Sequence, residues 1–338
     1  MMRMRYAVLC GALLAGIFSY GFALRHTLRS VIDPNAEPYR LEAACAGTAA
    51  TPFRYRVLMV WAIDGLRKIL PAHGAAAPPL AAALALETLA TLALLVAMWV
   101  WVQEWGVGMS GGLVGIALTV NALIVTYLLP TEASHFYWYD IPAVLFVTLG
   151  LLAIKRDRLA LYYVVFAIGT LNKETTCFLT VAFILLRWRR GRRWLAYHVG
   201  AQLVLWLGLK ALLCWAAGQP ATSTFWWTLP RNLHALADLS EHRAWLLGSA
   251  LGFVPTMTLV VWPFVHDRAA KRLAAGVSIP FIGGMFLVGW MEEIRIYAEL
   301  LPVLLPACVL GMQGALHQGR AALHRLMSSA ANAPSSPP

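Results

Sequence analysis

The chain has 338 residues, of which 60% are hydrophobic and 13% charged, and its formal net charge is +11. Apolar runs recur to the end, a pattern that a soluble core of this size does not need and that reads as a polytopic inner-membrane-type protein. The positive charge does not point to nucleic acid, because the basic residues fall in short segments between apolar runs, where membrane orientation and anionic headgroups account for them.

In chain order, MMRMR precedes the apolar run Tyr6–Leu24, which lacks a small-x-small cleavage site and reads as an uncleaved first span. Residues 25–78 form a long first outer loop. Its second half, TPFRYRVLMVWAIDGLRKIL, sets Val57, Val60, Trp61 and Leu66 at helical spacing beside Arg54, Arg67 and Lys68, the pattern of a helix lying in the membrane interface. Further spans are expected at Pro79–Val102, Met109–Leu129, Asp140–Ile154, Leu195–Ala217, Ala244–Val265, Leu273–Trp290 and Ile296–Ala315. The final stretch, 327–338, reads as a disordered tail on a single membrane domain of residues 1–326.

Between the fourth of these spans and Leu195 lies LALYYVVFAIGTLNKETTCFLTVAFILLRWRRGRR. Two apolar arms flank Asn172, Lys173 and Glu174, and basic clusters close both outer ends. One continuous helix would put those clusters on opposite sides of a bilayer, whereas a hairpin puts both on the cytoplasmic side. Each arm is then about 19 Å long against a hydrocarbon core of about 30 Å, so the tip sits within the membrane. Ionisable groups at that depth mark a functional site by default; the competing reading is a Lys173–Glu174 pair that only steadies the turn. The expected fold is therefore an all-α bundle of about ten membrane segments, including this hairpin, with both termini cytoplasmic.

Acidic residues concentrate on the opposite, outer side, a bias that orientation does not require. Asp33, in SVIDPNAEP, suits a general base at a cavity mouth or an ordinary turn, and Glu37 follows one helical turn later. TEASHFYWYDIP offers His135, Tyr137, Trp138 and Asp140, either as an interfacial belt with a carboxylate at a helix start or as a surface that stacks on a sugar. In MEEIRIYAELLP, Glu292, Arg295 and Glu299 share one helical face, as a salt-bridged ladder or with Arg295 free to hold a phosphate. Lys210 either snorkels or joins the same cavity. His234, Asp238 and His242 recur every fourth residue and leave a divalent metal open, although a solvated face explains them as well; no metal ligand is assigned and no other cofactor is expected. Nucleotide, zinc-protease and serine-hydrolase motifs are absent from the sequence, and the five cysteines make no CxxC.

The long first loop with an early carboxylate, the PFRYRVL stretch leading into an interface helix, and the short GTLNKET hairpin resemble bacterial polytopic GT-C membrane glycosyltransferases. That resemblance implies transfer of a sugar from a polyprenyl-phosphate donor to an acceptor glycan, lipid or protein at the outer face of the cytoplasmic membrane. It further implies Asp33 as the catalytic base with Glu37 as its rival, because members of the class often carry two adjacent acids where this chain has two acids four residues apart. Lys173, Arg295, Arg54 and Arg56 become the groups that neutralise the lipid phosphate. Asn172, Glu174, His135, Tyr137, Trp138, Asp140, Glu292 and Glu299 become the cavity. The competing classes are a transporter or lipid flippase, which commonly shows paired broken helices that this chain lacks, and a noncatalytic partner in a cell-envelope assembly.

Overall fold

The computed structural model describes residues 2–32, 41–49, 53–69, 78–129, 137–217, 227–237, 240 and 247–331. Those residues are largely helical, and no strand occurs among them. Six helices are long and apolar enough to cross a membrane: Leu80–Gln103, Gly108–Leu128, Arg192–Ala216, Leu247–Phe264, Arg268–Val288 and Ile294–Ser328. The described residues are thus all-α, with six helices of a length and composition that suit a membrane.

The described helices are α1 (Met2–Ile32), α2 (Leu41–Cys45), α3 (Val57–Arg67), α4 (Pro78–Gln103), α5 (Gly108–Leu123), α6 (Asp140–Lys155), α7 (Leu159–Asn172), α8 (Phe178–Arg187), α9 (Arg192–Ala216), α10 (Leu229–Ala237), α11 (Val254–Val260), α12 (Arg268–Val288) and α13 (Leu301–Ala331). Helices α6, α7 and α8 have 16, 14 and 10 residues. At about 1.5 Å per residue they reach roughly 24, 21 and 15 Å, short of a hydrocarbon core of about 30 Å. Their apolar sequences alone do not distinguish a short buried helix from a span.

Helix α13 lies at the centre. Its first turns, residues 301–309, are buried on every side, and 89% of the best apolar window in Ile294–Ser328 is buried, against 22% in α9. A helix apolar all round belongs inside a bundle, whereas α9 leaves most of its apolar surface outward, as lipid contact requires. Pro306 removes one amide donor from α13 and so frees the Pro302 carbonyl. The buried indole of Trp101 on α4 donates to that carbonyl at 2.7 Å. A helix break dictated by one proline thus becomes a fixed contact between α4 and α13.

The helices alternate in direction, so that chemically different residues collect at the two ends. At one end Arg156 meets Glu104 at 2.6 Å, and Asp157 accepts Arg187 at 3.0 Å and also Arg190. Asp157 precedes α7 and Arg187 closes α8, so both arms open at this basic end and the stretch is a hairpin. The arms also pack together through Tyr162 and Phe183, whose rings stack at 5.3 Å. The opposite end gathers the first-loop helices, the start of α6, the hairpin tip and residues 291–300.

Several expectations need correction. The buried stripe of α3 is Met59 and Ile63, set against Ala82 and Ala83 of α4, while Trp61 is 59% exposed. Val57, Val60 and Leu66, expected with Trp61 on an interface-facing stripe, are only partly buried. Leu247–Phe264, within the expected span Ala244–Val265, keeps the length and hydropathy of a span but is broken internally at Leu251, Gly252 and Phe253, all with positive φ. Gly252 is required there: a Cβ would come 2.4 Å from Asn121 Nδ2 and 2.8 Å from the Ala122 amide nitrogen. Asn121 Nδ2 donates to the Gly252 carbonyl at 2.8 Å. Helix α5 ends in a π turn, Ile124–Leu128, a local break that hydropathy does not register. Helix α13 continues to Ala331, so the start of the expected tail is helical; its alanines favour that continuation.

Candidate functional site

The site is built where the hairpin turns. Asn172 closes α7, and Lys173 adopts an extended conformation, φ −158° and ψ 136°, that ends the helix. Asn172 Nδ2 donates to the Tyr139 carbonyl at 2.9 Å, and Thr176 Oγ1 donates to the Lys173 carbonyl at 2.8 Å. These two bonds fix the turn and aim Lys173 into the bundle.

There Lys173 Nζ lies 2.8 Å from Glu299 Oε1 and 3.4 Å from Asp140 Oδ1. Arg295 takes the other Asp140 oxygen at 3.1 Å and Glu293 at 2.6 Å. Asp140 is fully buried between the two cations, and charges at such a place persist only when paired and hydrogen-bonded. Helix α6 supplies Asp140, the hairpin tip supplies Lys173, and residues 293–299 supply the rest. The Arg295 guanidinium also covers the Tyr137 ring at 3.8 Å.

A second pair joins the first loop to the same turn. Arg56 binds Glu174 through two nitrogens, at 2.5 and 3.2 Å, and its guanidinium stands 4.3 Å from the Tyr139 ring centroid. Burial opposes the charge on Arg56, but Glu174 more than offsets it, with Tyr139 and Asp140 adding to the effect. The Arg56 pKa is therefore raised above its usual range. Phe53 stacks on Tyr137 with ring centroids 5.1 Å apart, and Trp206 Nε1 donates to the Glu174 carbonyl at 2.9 Å.

The structure thus brings together Arg56, Tyr137, Asp140, Asn172, Lys173, Glu174, Arg295 and Glu299 from the sequence-predicted set. Lys173 and Glu174 do not pair with each other; each faces a different partner across the fold. The Glu292–Arg295–Glu299 ladder does not form either, because residues 294–300 wind as a 3-10 helix that changes the side-chain spacing. Glu292 instead faces Arg231 at 3.4 Å, away from the cluster. Tyr137, Trp138 and Tyr139 are buried under Phe53 and α3, so they form neither an open belt nor an open stacking surface. Arg54 makes no ion pair among the described residues and lines a groove beside α3. Lys210 sits over the Tyr55 ring at 5.2 Å, close to this end of the bundle.

Asp33, Glu37 and His135 lie outside the described residues, as do Asp238 and His242. Among the described residues no group of three or more His, Cys, Asp or Glu side chains is placed to hold a metal.

The sequence reading missed two partners. Glu293 completes the Arg295 site. His26 on α1 and Glu87 on α4 form a buried pair at 2.8 Å, with the His26 ring 5.1 Å from Tyr127. Glu87 stands out in the sequence as a lone acid inside an apolar run, but nothing in helical periodicity links it to a residue on another helix.

Around the cluster, Asn172 Oδ1, Thr175 Oγ1, Arg295 Nε and Tyr139 Oη have no hydrogen-bond partner among the described residues. The void beside Glu299, between α6, α8, α12 and α13, is about 10 Å³, close to the room one water needs. As folded, the cluster is a closed floor in which Lys173 and Arg295 face three carboxylates, rather than an open pocket. No family model matches the chain, and no curated protein or solved structure matches it.

Proposed function

We propose that the chain is a GT-C-like membrane glycosyltransferase that moves a sugar from a polyprenyl-phosphate donor to an acceptor at the outer face of the cytoplasmic membrane. The observation that carries this reading is the bidentate Arg56–Glu174 pair, which fastens the first loop to the hairpin tip directly beside the Asp140–Lys173–Arg295 cluster. Residues 33–55 link Ile32, the last residue of α1, to that fastened arginine. The two candidate bases, Asp33 and Glu37, belong to that link in the sequence, between α1 and the arginine fastened to the hairpin tip.

In this reading α1, α6 and the two hairpin arms complete a bundle of about ten membrane segments, with both termini and the basic end cytoplasmic. Asp140 keeps Lys173 and Arg295 oriented. A leaving phosphate binds them by displacing a carboxylate, and proton uptake by that carboxylate offsets the added negative charge. Lys210, whose charge acts on Glu174, supplies additional positive charge beside the hairpin tip, and Arg54, which makes no ion pair among the described residues, adds to it from the neighbouring groove.

A transporter or flippase is the second reading, and the buried His26–Glu87 pair between α1 and α4 favours it, since intramembrane titratable pairs also serve ion pathways. Incubating the purified protein with radiolabelled polyprenyl-phosphate sugars and membrane extract tests the choice. Label appearing in an acceptor supports the transferase. Movement of the intact donor across vesicle bilayers without transfer supports the flippase and removes the first reading.

A further inference from the structure

Beside the charge cluster, but separate from it, a groove of about 340 Å³ runs between the first-loop helices and the end of α9. Val57, Val60 and Trp61 form one wall, Leu213 and Ala216 the other, and Arg54 lies in the lining. The volume is within the range of about 300 to 1,000 Å³ found for small-molecule sites. We propose that this groove holds an acidic bilayer phospholipid, with its phosphodiester on Arg54 and the start of a chain between α3 and α9.

Charge complementarity supports an anionic head. Arg54 has no carboxylate partner among the described residues, unlike Arg56, Lys173 and Arg295. The one acid in the lining, Asp64, is already paired with Arg67 and, at 2.7 Å, with Lys68. Among the described residues the groove region therefore presents positive charge without a compensating carboxylate, and a guanidinium matches two phosphate oxygens at once.

Surroundings support a lipid tail. Helix α9 has little buried surface, and next to the groove Leu212 is 55% exposed and Trp215 80% exposed. Trp61 projects from the α3 wall, as an indole at headgroup level does. A ligand arriving from the membrane meets this groove without crossing water. Bulk phospholipid, in large excess over any dedicated lipid, is favoured there by mass action. The site does not depend on the transferase reading, because it would serve a transporter equally.

The test uses the full chain in phosphatidylcholine nanodiscs titrated with phosphatidylglycerol, reading retained lipid by native mass spectrometry after gentle extraction. Wild type should retain phosphatidylglycerol, and Arg54→Gln should reduce that retention by about tenfold, the size of one charge-assisted phosphate contact. Arg25→Gln removes an exposed cation of α1 and should leave retention unchanged. A second readout, the rise in melting temperature on adding phosphatidylglycerol, should be present in wild type and lost in Arg54→Gln. Equal retention by wild type and Arg54→Gln overturns the site, as does an equal loss in Arg25→Gln, which marks unspecific attraction. Preferential retention of added polyprenyl phosphate over phosphatidylglycerol overturns the assigned occupant.

Discussion

Arg56 and Glu174, 118 positions apart, meet through two hydrogen-bonded contacts and so hold the first loop against the hairpin tip. The Glu174 side chain keeps 22% of its surface exposed, so the pair is worth less than a fully buried one. A double-mutant cycle on Arg56→Met and Glu174→Gln should give a coupling of about 1 to 2 kcal/mol in unfolding free energy. Additive losses, measured by thermal or denaturant unfolding in detergent, would show that the contact does not join the two elements.

Lys173 makes a sharper case, because Glu299 and not Glu174 is its near partner. The contact is 2.8 Å, yet neither Glu299 oxygen has a well-directed hydrogen bond among the described residues. The attraction is mainly that of two close opposite charges. Lys173→Met should leave Glu299 buried and uncompensated, at a cost of about 3 to 5 kcal/mol. Adding Glu299→Leu should restore most of that loss, whereas adding Glu174→Gln should deepen it by stranding Arg56. Membrane abundance and melting midpoints of the three variants decide the matter; rescue by the Glu174 change instead of the Glu299 change refutes the pairing.

These partners explain what the sequence could and could not disclose. The broken pattern at Asn172, Lys173 and Glu174 is visible as three polar residues between apolar runs, and basic clusters at both outer ends imply the hairpin that Asp157 and Arg187 close. Asp140 and Arg295 are visible as charges at the edges of apolar runs. Their pairing is not, since helical periodicity relates only residues three or four apart, while Asp140 and Arg295 are 155 apart. The 3-10 winding of residues 294–300 and the left-handed break at Leu251 are equally hidden, because tertiary contacts rather than local preference hold them.

Burial also changes how topology is best tested. Asn172 lies at the hairpin tip but is fully buried, so a cysteine there would be shielded from reagent whichever side it faces. Thr48 near the site end and Arg193 at the basic end are both exposed. With Cys10, Cys45, Cys177, Cys214 and Cys308 replaced, Thr48→Cys should react with an impermeant thiol reagent in intact cells. Arg193→Cys should react only after the membrane is opened. Labelling of both positions in intact cells contradicts opposite placement of the two ends.

The last prediction separates the two first-loop acids. Inverting transfer needs a carboxylate beside the acceptor hydroxyl, and the donor phosphate must stay near the membrane. Residues 33–55 follow Ile32 and precede Arg56, which is anchored on Glu174, the chain neighbour of Lys173. Asp33 is the first acid after α1 and has the least chain to place; Glu37 is the rival because four residues make about one helical turn. General-base assistance contributes about 10² to 10⁴ in rate, so Asp33→Asn should lower turnover by that order while donor binding is largely kept. The amide retains the shape and removes the basicity, so a folding defect is not expected to mimic the loss. If Glu37→Gln shows that loss and Asp33→Asn does not, Glu37 is the base. Near wild-type transfer by both single variants and by the double variant excludes Asp33 and Glu37 as the base and moves the assignment to Glu42, the one other acid between α1 and Arg56.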